Sequence, residues 1–303
     1  MCHHRSCCVS RAGPVRCIRA KEPIMRKRHL RGRGPHMSPL DRIVQFDFEP
    51  GYVVFTEPVA KRVRVKVGDI TIADSIDMIL LFETEHQQRY CFPIKDIRMD
   101  LMRENEHVTS CRFKGTAHHY TVNAGGKVVE NIMWRYAEPL PQCPPIADYA
   151  GFYWDKVDHW YEEDEEIFVH ARDPFRRVDC LPSSRLVQVY VNGALVAESR
   201  GCVFLFETGL PTRYYMPRDD IRGDILRPSN FATGCPYKGQ AGYYHVEVSG
   251  KLYENLVWYY AEPKREVWPI AGRLCFANEF VDRILVDGIE QKRPQTGHSH
   301  GYE

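Results

Sequence analysis

An all-β fold in two tandem copies is what this chain predicts, and three observations carry the expectation. Residues 61–158, moved forward by 124 positions without a gap, fall on 185–282, and 39 of the 98 aligned residues are identical. The strand-like stretches are short, alternate in polarity and are punctuated by Gly, Asn and Pro. No stretch has the apolar period of a helix of about twelve residues. A repeat this long is a duplicated domain, because solenoid units run to roughly 20–50 residues. The pattern points to two sandwich-like or barrel-like modules.

Each copy opens on alternation, Arg62-Val63-Arg64-Val65-Lys66-Val67 and Leu186-Val187-Gln188-Val189-Tyr190-Val191. Gly68-Asp69 and Asn192-Gly193 tolerate positive φ, so each strand turns back as a hairpin. Return strands are expected over 71–75 and 195–199, then strands over 79–83 and 203–207, and over 88–92 and 212–216, closed by Pro93 and Pro217. Residues 96–102 and 220–226 read either as a short helical turn or as a bent strand. A second hairpin runs through 117–122 or 241–248 and turns at Gly125-Gly126 or Ser249-Gly250. It returns through 127–136 or 251–260.

At 303 residues the length suits about two domains. The expected organisation is a basic, disordered extension over 1–45, a first β domain over 46–160, a linker over 161–183, a second β domain over 184–289 and a loose tail over 290–303. Residues 1–42 carry eleven Lys or Arg against Glu22 and Asp41, so the net formal charge of +1 hides a basic head on a mildly acidic body. That argues against nucleic acid as a partner of the folded part. The head lacks an apolar secretory core, and a mitochondrial transit peptide is the alternative to plain disorder. Its Cys2, His3, His4, Cys7 and Cys8 would hold a metal only adventitiously.

No apolar run of about 18 residues is present, so no membrane partner is expected. The cysteines of the body repeat only as Cys111 with Cys235, which is not a duplicated disulfide framework. With no C-x-x-C pair, no metal or other cofactor is expected. Reduced thiols fit a cytoplasmic protein, or a mitochondrial one if the head is a transit peptide.

Several stretches resemble domain of unknown function 427 in its tandem arrangement. They are Phe206-Glu207-Thr208-Gly209-Leu210-Pro211-Thr212-Arg213-Tyr214-Tyr215-Met216-Pro217, Cys235-Pro236-Tyr237-Lys238-Gly239-Gln240-Ala241, Trp258-Tyr259-Tyr260-Ala261-Glu262-Pro263 and Arg172-Asp173-Pro174-Phe175-Arg176-Arg177. The resemblance covers roughly 45–290 and implies a β-tent module, a fold shared with methionine sulfoxide reductase B and the thalidomide-binding domain of cereblon. Those relatives commonly hold zinc through C-x-x-C pairs, which this chain lacks. The family is sometimes labelled nucleotidyltransferase-like, but the chain has no Gly-Ser followed by Asp-x-Asp to hold two metals and no phosphate-binding glycine loop. The first copy departs from the pattern, with Arg112 where Pro is expected and His118-His119 opposite Gly242-Tyr243. A working site is therefore expected in the second copy.

Cys235 and Lys238, three apart before Gly239, are the sharpest candidates. An ammonium within about 4–6 Å would favour the thiolate, making Cys235 a nucleophile or leaving Lys238 to form a Schiff base or bind an anion. The bland alternative is a buried thiol and a solvated lysine. Glu207, ending an apolar run, is either salt-bridged to Arg213 or Arg222 or poised as acid or base. Several of Tyr214, Tyr244, Trp258 and Tyr260 are expected to share a face as core or as an aromatic pocket. The first-copy counterparts in the expected site are Glu83, Cys111, Lys114 and Trp134. No histidine repeats, so a Cys–His pair would need one from elsewhere, such as His170.

The reading is a small-organic-ligand binder built on an aromatic pocket with Cys, Lys and Glu. The alternatives are an enzyme with Cys235 or Lys238 as nucleophile and Glu207 as acid/base, and a structural or interaction module. Two such domains can also pack as a pseudo-dimer.

Overall fold

Alternating valines build the first strand of each copy's small sheet. Over Val63–Val67 and Val187–Val191 every second side chain is buried and the others are half-buried, the period of a pleated strand covered on one face. The computed structural model describes residues 44–46 and 48–296. Most of the basic head, with its Cys/His cluster and the transit-peptide reading, lies outside the described residues, as do 297–303 of the tail.

Each copy contributes one large and one small antiparallel sheet. In the first, the large sheet runs in the order Val44–Phe46, Glu49–Pro58, Ile79–Glu83, Arg89–Pro93, Tyr149–Phe152, Lys127–Arg135, Gly115–Ala124 and Met102–Cys111. The small sheet runs Glu165–Ile167, His159–Glu162, Val63–Val67 and Ile70–Ser75. The second copy repeats this plan. Its large sheet is Val178–Ser183, Cys202–Glu207, Arg213–Met216, Leu274–Phe276, Lys251–Tyr259, Gly239–Val248 and Leu226–Cys235, and its small sheet is Ala194–Ser199, Val187–Val191, Arg283–Val286 and Ile289–Glu290.

The repeat reaches further upstream than sequence identity shows. Val54 pairs with Glu83, and 124 positions on Val178 pairs with Glu207. Val178–Ser183, read from sequence as linker, is thus a strand of the second copy's large sheet. The fold is all-β, but every sheet has two free ends and none closes on itself, so the barrel-like description gives way to pairs of open sheets.

Sequence reading passed over the strands Met102–Cys111 and Leu226–Cys235. Their side chains are almost all exposed or half-buried, because each is the outermost strand of its sheet, and so they show little apolar alternation. The ambiguous stretches after Pro93 and Pro217 are short 3-10 turns, Ile94–Asp96 with Met99–Leu101 and Arg218–Asp220 with Gly223–Ile225. At the far end Ile289–Glu290 pairs with Arg283–Val286, so the tail begins as a strand. No helix among the described residues is long and apolar enough to cross a membrane.

Two apolar clusters form in each copy, one on either face of the large sheet. The larger lies between the sheets, with Val187, Val189, Phe204, Tyr214, Met216 and Phe276 among its members. The smaller, on the opposite face, holds Leu205, Tyr215, Tyr243, Tyr260 and Cys275. The first copy has the corresponding pair of clusters. The chain between the copies is fixed to both: the Gln88 side-chain amide donates to the Ala171 carbonyl, Phe175 sits 5.7 Å from Phe82, and the Asp173 N–H donates to the Tyr237 hydroxyl at 2.7 Å. Lys264 reaches across to Glu165 at 2.5 Å.

One close approach distinguishes the copies. Gly151 pairs with Trp134, whose ring lies flat over it: a Cβ on Gly151 would stand 2.2 Å from the indole. Cys275 holds the equivalent place, and Trp258 instead donates its indole N–H to the Tyr215 hydroxyl at 2.9 Å. Gly151→Ala is expected to displace Trp134 and cost about 1–3 kcal/mol. Urea unfolding would show the loss, and an altered indole emission in the folded variant would locate it.

Candidate functional site

Glu207 closes the apolar strand Cys202–Glu207, and its side chain is only 4% exposed. Opposite it, the last edge strand and the next are joined by Pro236-Tyr237-Lys238, with Cys235 paired to Gly239. Gly239 takes φ +101, a conformation that favours glycine. Lys238 is thereby carried back over the sheet, where its ammonium meets Glu207 Oε2 at 2.5 Å, and Arg176 donates to Oε1 at 2.9 Å. Burial pushes the Glu207 carboxyl up, but the Lys238 ammonium and the Arg176 guanidinium outweigh it and hold the group below its ordinary range.

The first copy repeats the anchor with altered chemistry. Lys114 pairs with Glu83, and the second donor is the Tyr52 hydroxyl, 2.8 Å from Oε1. Tyr52 stands 124 positions before Arg176. Its ring stacks on Phe113 at 3.6 Å, where Arg176 lies 5.6 Å over the ring of Tyr237. The partners expected for Glu207 were Arg213 or Arg222; neither is used. Arg213 makes a bidentate pair with Glu279, both bonds 2.7 Å, and lies 5.2 Å over Trp258. Arg222 pairs with Asp224 at the surface.

Beside each anchor is a cavity, and the two are lined by corresponding residues. Leu81, Glu83, Arg89, Thr109, Lys114, Trp134 and Tyr136 line the first, of about 110 Å³. Leu205, Glu207, Arg213, Thr233, Lys238, Trp258 and Tyr260 line the second, of about 460 Å³, with Arg176, His170, Tyr215, Tyr243 and Glu279. Tyr153 occupies in the first copy the place of Ala277 in the second, and it stacks on His119, the counterpart of Tyr243. That bulk accounts for the smaller volume.

Of the residues expected in the site, Glu207, Cys235, Lys238, Trp258 and Tyr260 come together around the second cavity, and Glu83, Lys114 and Trp134 around the first. Cys111 lies at its margin, with Sγ 4.0 Å from Glu83 Oε1. Tyr214 and Tyr244 do not join them. Tyr214 is in the cluster between the sheets and Tyr244 packs against it, both on the opposite face. The alternation was available: Leu205 pairs with Arg213 and Tyr243 with Trp258, which puts Arg213, Tyr215 and Tyr243 on the cavity side. Arg176 and Glu279 were missed because nothing local announces them.

Lys238 is committed to Glu207, so the centre is an ion pair, neither the thiol–ammonium pair nor the solvated lysine that the sequence left open. The Cys235 thiol has no hydrogen-bond partner among the described residues. His170 lines the same cavity. Its Nδ1 is 2.7 Å from the Ala171 carbonyl, which can only accept, so Nδ1 carries the proton. Burial pushes the imidazole pKa down.

These shifts set a pH dependence. His170 and His119 have depressed folded values, so their contribution is complete above the unfolded value near 6.5 and declines as pH falls below it. Glu207 and Glu279 are also depressed, and their contribution declines below about 4.5. The unfolding midpoint is expected to fall in two stages between pH 7 and pH 3. A calorimetric pH series would check this, and a flat profile above pH 5 would refute the histidine stage.

Two open all-β sheet pairs, each carrying an ion-paired carboxylate beside an aromatic-walled cavity, define a duplicated pocket-bearing module. The chain belongs to the family described as domain of unknown function (DUF427), which it matches twice, over residues 55–163 and 179–287. The two matches are separated by the same 124 positions that relate the strands. No curated protein matches the chain.

Proposed function

We propose that the second cavity binds a small organic molecule with a flat body and a polar end. Its volume of about 460 Å³ falls in the range of ligand pockets, roughly 300–1,000 Å³. The supporting observation is the exchange of Tyr153 for Ala277, which opens the second cavity while keeping the carboxylate–lysine anchor and the Trp and Tyr walls. Trp258, Tyr243 and Tyr260 would take the flat body, and the Arg213–Glu279 and Lys238–Glu207 pairs the polar end. The two copies would act as a pseudo-dimer held by residues 168–177, a view supported by the contacts of Ala171 and Phe175 with the first copy and of Asp173 with the second.

Thermal unfolding of the full chain with a panel of nucleosides and aromatic carboxylic acids tests the reading. At least one compound should raise the midpoint, Trp258→Ala should abolish the rise, and Cys235→Ser should leave it. A panel that stabilises neither wild type nor variant overturns it.

A second reading, catalysis through Cys235, is favoured by His170, which lines the same cavity and, with Nδ1 donating to the Ala171 carbonyl, keeps Nε2 as an acceptor. Cys235 should then alkylate rapidly in the folded chain and slow when His170 becomes Gln. A thiol inert until unfolding excludes this chemistry.

A further inference from the structure

Arg89 and Arg213 occupy equivalent places, yet their electrostatics differ. Arg213 is neutralised by Glu279 through two bonds of 2.7 Å, and Glu279 also accepts from Thr296 at 2.7 Å. Arg89 also lines its cavity and is half-buried, but among the described residues no carboxylate stands within ion-pair distance of it. The counterpart of Glu279 is Asp155, one methylene shorter and exposed. Lys114, the other cation of the cavity, is already balanced by Glu83. One guanidinium charge is therefore left over at a half-open cavity, and a partly buried charge without a counterion is costly in proportion to the water it has lost.

We infer that the first cavity is a site for a small oxyanion, the carboxylate or phosphate group of a small molecule, held by Arg89. A guanidinium presents two parallel donors that match either group. The cavity, of about 110 Å³, admits such a group and little more. Gln87 at its lining offers a further donor in its side-chain amide, and the rings of Trp134 and Tyr136 wall it. The site is distinct from the second cavity and stands or falls separately from the function proposed for that one.

The full chain, titrated at constant ionic strength with sodium acetate and separately with inorganic phosphate, tests it by calorimetry and by the indole N–H signals of Trp134 and Trp258. One anion or both should bind saturably and shift Trp134. Acetate alone marks a carboxylate ligand and phosphate alone a phosphate ligand. Arg89→Gln should weaken binding at least tenfold and Arg89→Lys less, while Lys95→Gln, at a surface cation paired with Asp77, should bind as wild type. Binding of neither anion, or undiminished binding by Arg89→Gln, overturns the inference. If Arg89→Gln fails to fold, the wild-type signals decide: a shift at Trp134 supports the site, and shifts at Trp258 only or at neither refute it.

Discussion

Glu207→Ala should destabilise the chain by about 3–5 kcal/mol, the usual cost of removing one partner from a buried ion pair. The carboxylate has side-chain exposure of 4% and faces two cations, Lys238 at 12% and Arg176 at 32%. Without it, both are left near each other with no counterion in a partly buried place. Replacing Glu207 by Leu and Lys238 by Met together should recover the part of the loss that comes from the lysine, since an apolar pair avoids its desolvation penalty and leaves only the more exposed Arg176 without a counterion. The equivalent Glu83→Ala should cost less, because Tyr52 is neutral and only Lys114 is orphaned. Denaturant unfolding of the four proteins orders them. Equal losses for Glu83→Ala and Glu207→Ala would mean that the second cation contributes nothing.

Glu279→Ala should carry a similar penalty, about 3–5 kcal/mol, and also a gain. It frees Arg213, which has side-chain exposure of 11%, and so recreates in the second copy the unpaired guanidinium of the first. Added phosphate should then raise the denaturation midpoint of the variant more than that of wild type, because a ligand of the folded state stabilises by mass action. An equal response in both proteins would show that the vacated place does not accept an anion.

The strands with one covered face were legible from sequence, since Val63, Val65, Val67 and their counterparts repeat the period of two without interruption. The hairpins at Gly68 and Asn192-Gly193 were legible for a related reason: all three take positive φ. What escaped was set at long range. Edge strands such as Met102–Cys111 owe their state to the neighbour they pair with. Glu279 lies 66 positions from Arg213 in sequence and meets it only because the sheet brings them together. The tyrosines show a finer failure. Tyr214 and Tyr215 are adjacent, and so are Tyr243 and Tyr244; a one-residue step exchanges core for cavity, and choosing Tyr214 and Tyr244 selected the wrong face. Glu207 and Lys238 were found because both recur in both copies, but their direct pairing depended on how the three-residue loop before Gly239 folds.

Two sheets of the same plan in one polypeptide invite a particular error, the pairing of a strand from one copy with the growing sheet of the other. The outermost strands bear on that hazard. Met102–Cys111 exposes Arg103, Glu104, Glu106 and His107, and Leu226–Cys235 carries Pro228, which has no N–H to offer; both are irregular, with register breaks between Glu104 and Val108 and between Pro228 and Ala232. Charge, proline and bulges are the means by which natural sheets refuse further strands. The polarity that hid these strands in the sequence thus guards the chain against mispairing and aggregation, and lets each copy complete its own sheet beside a near-twin.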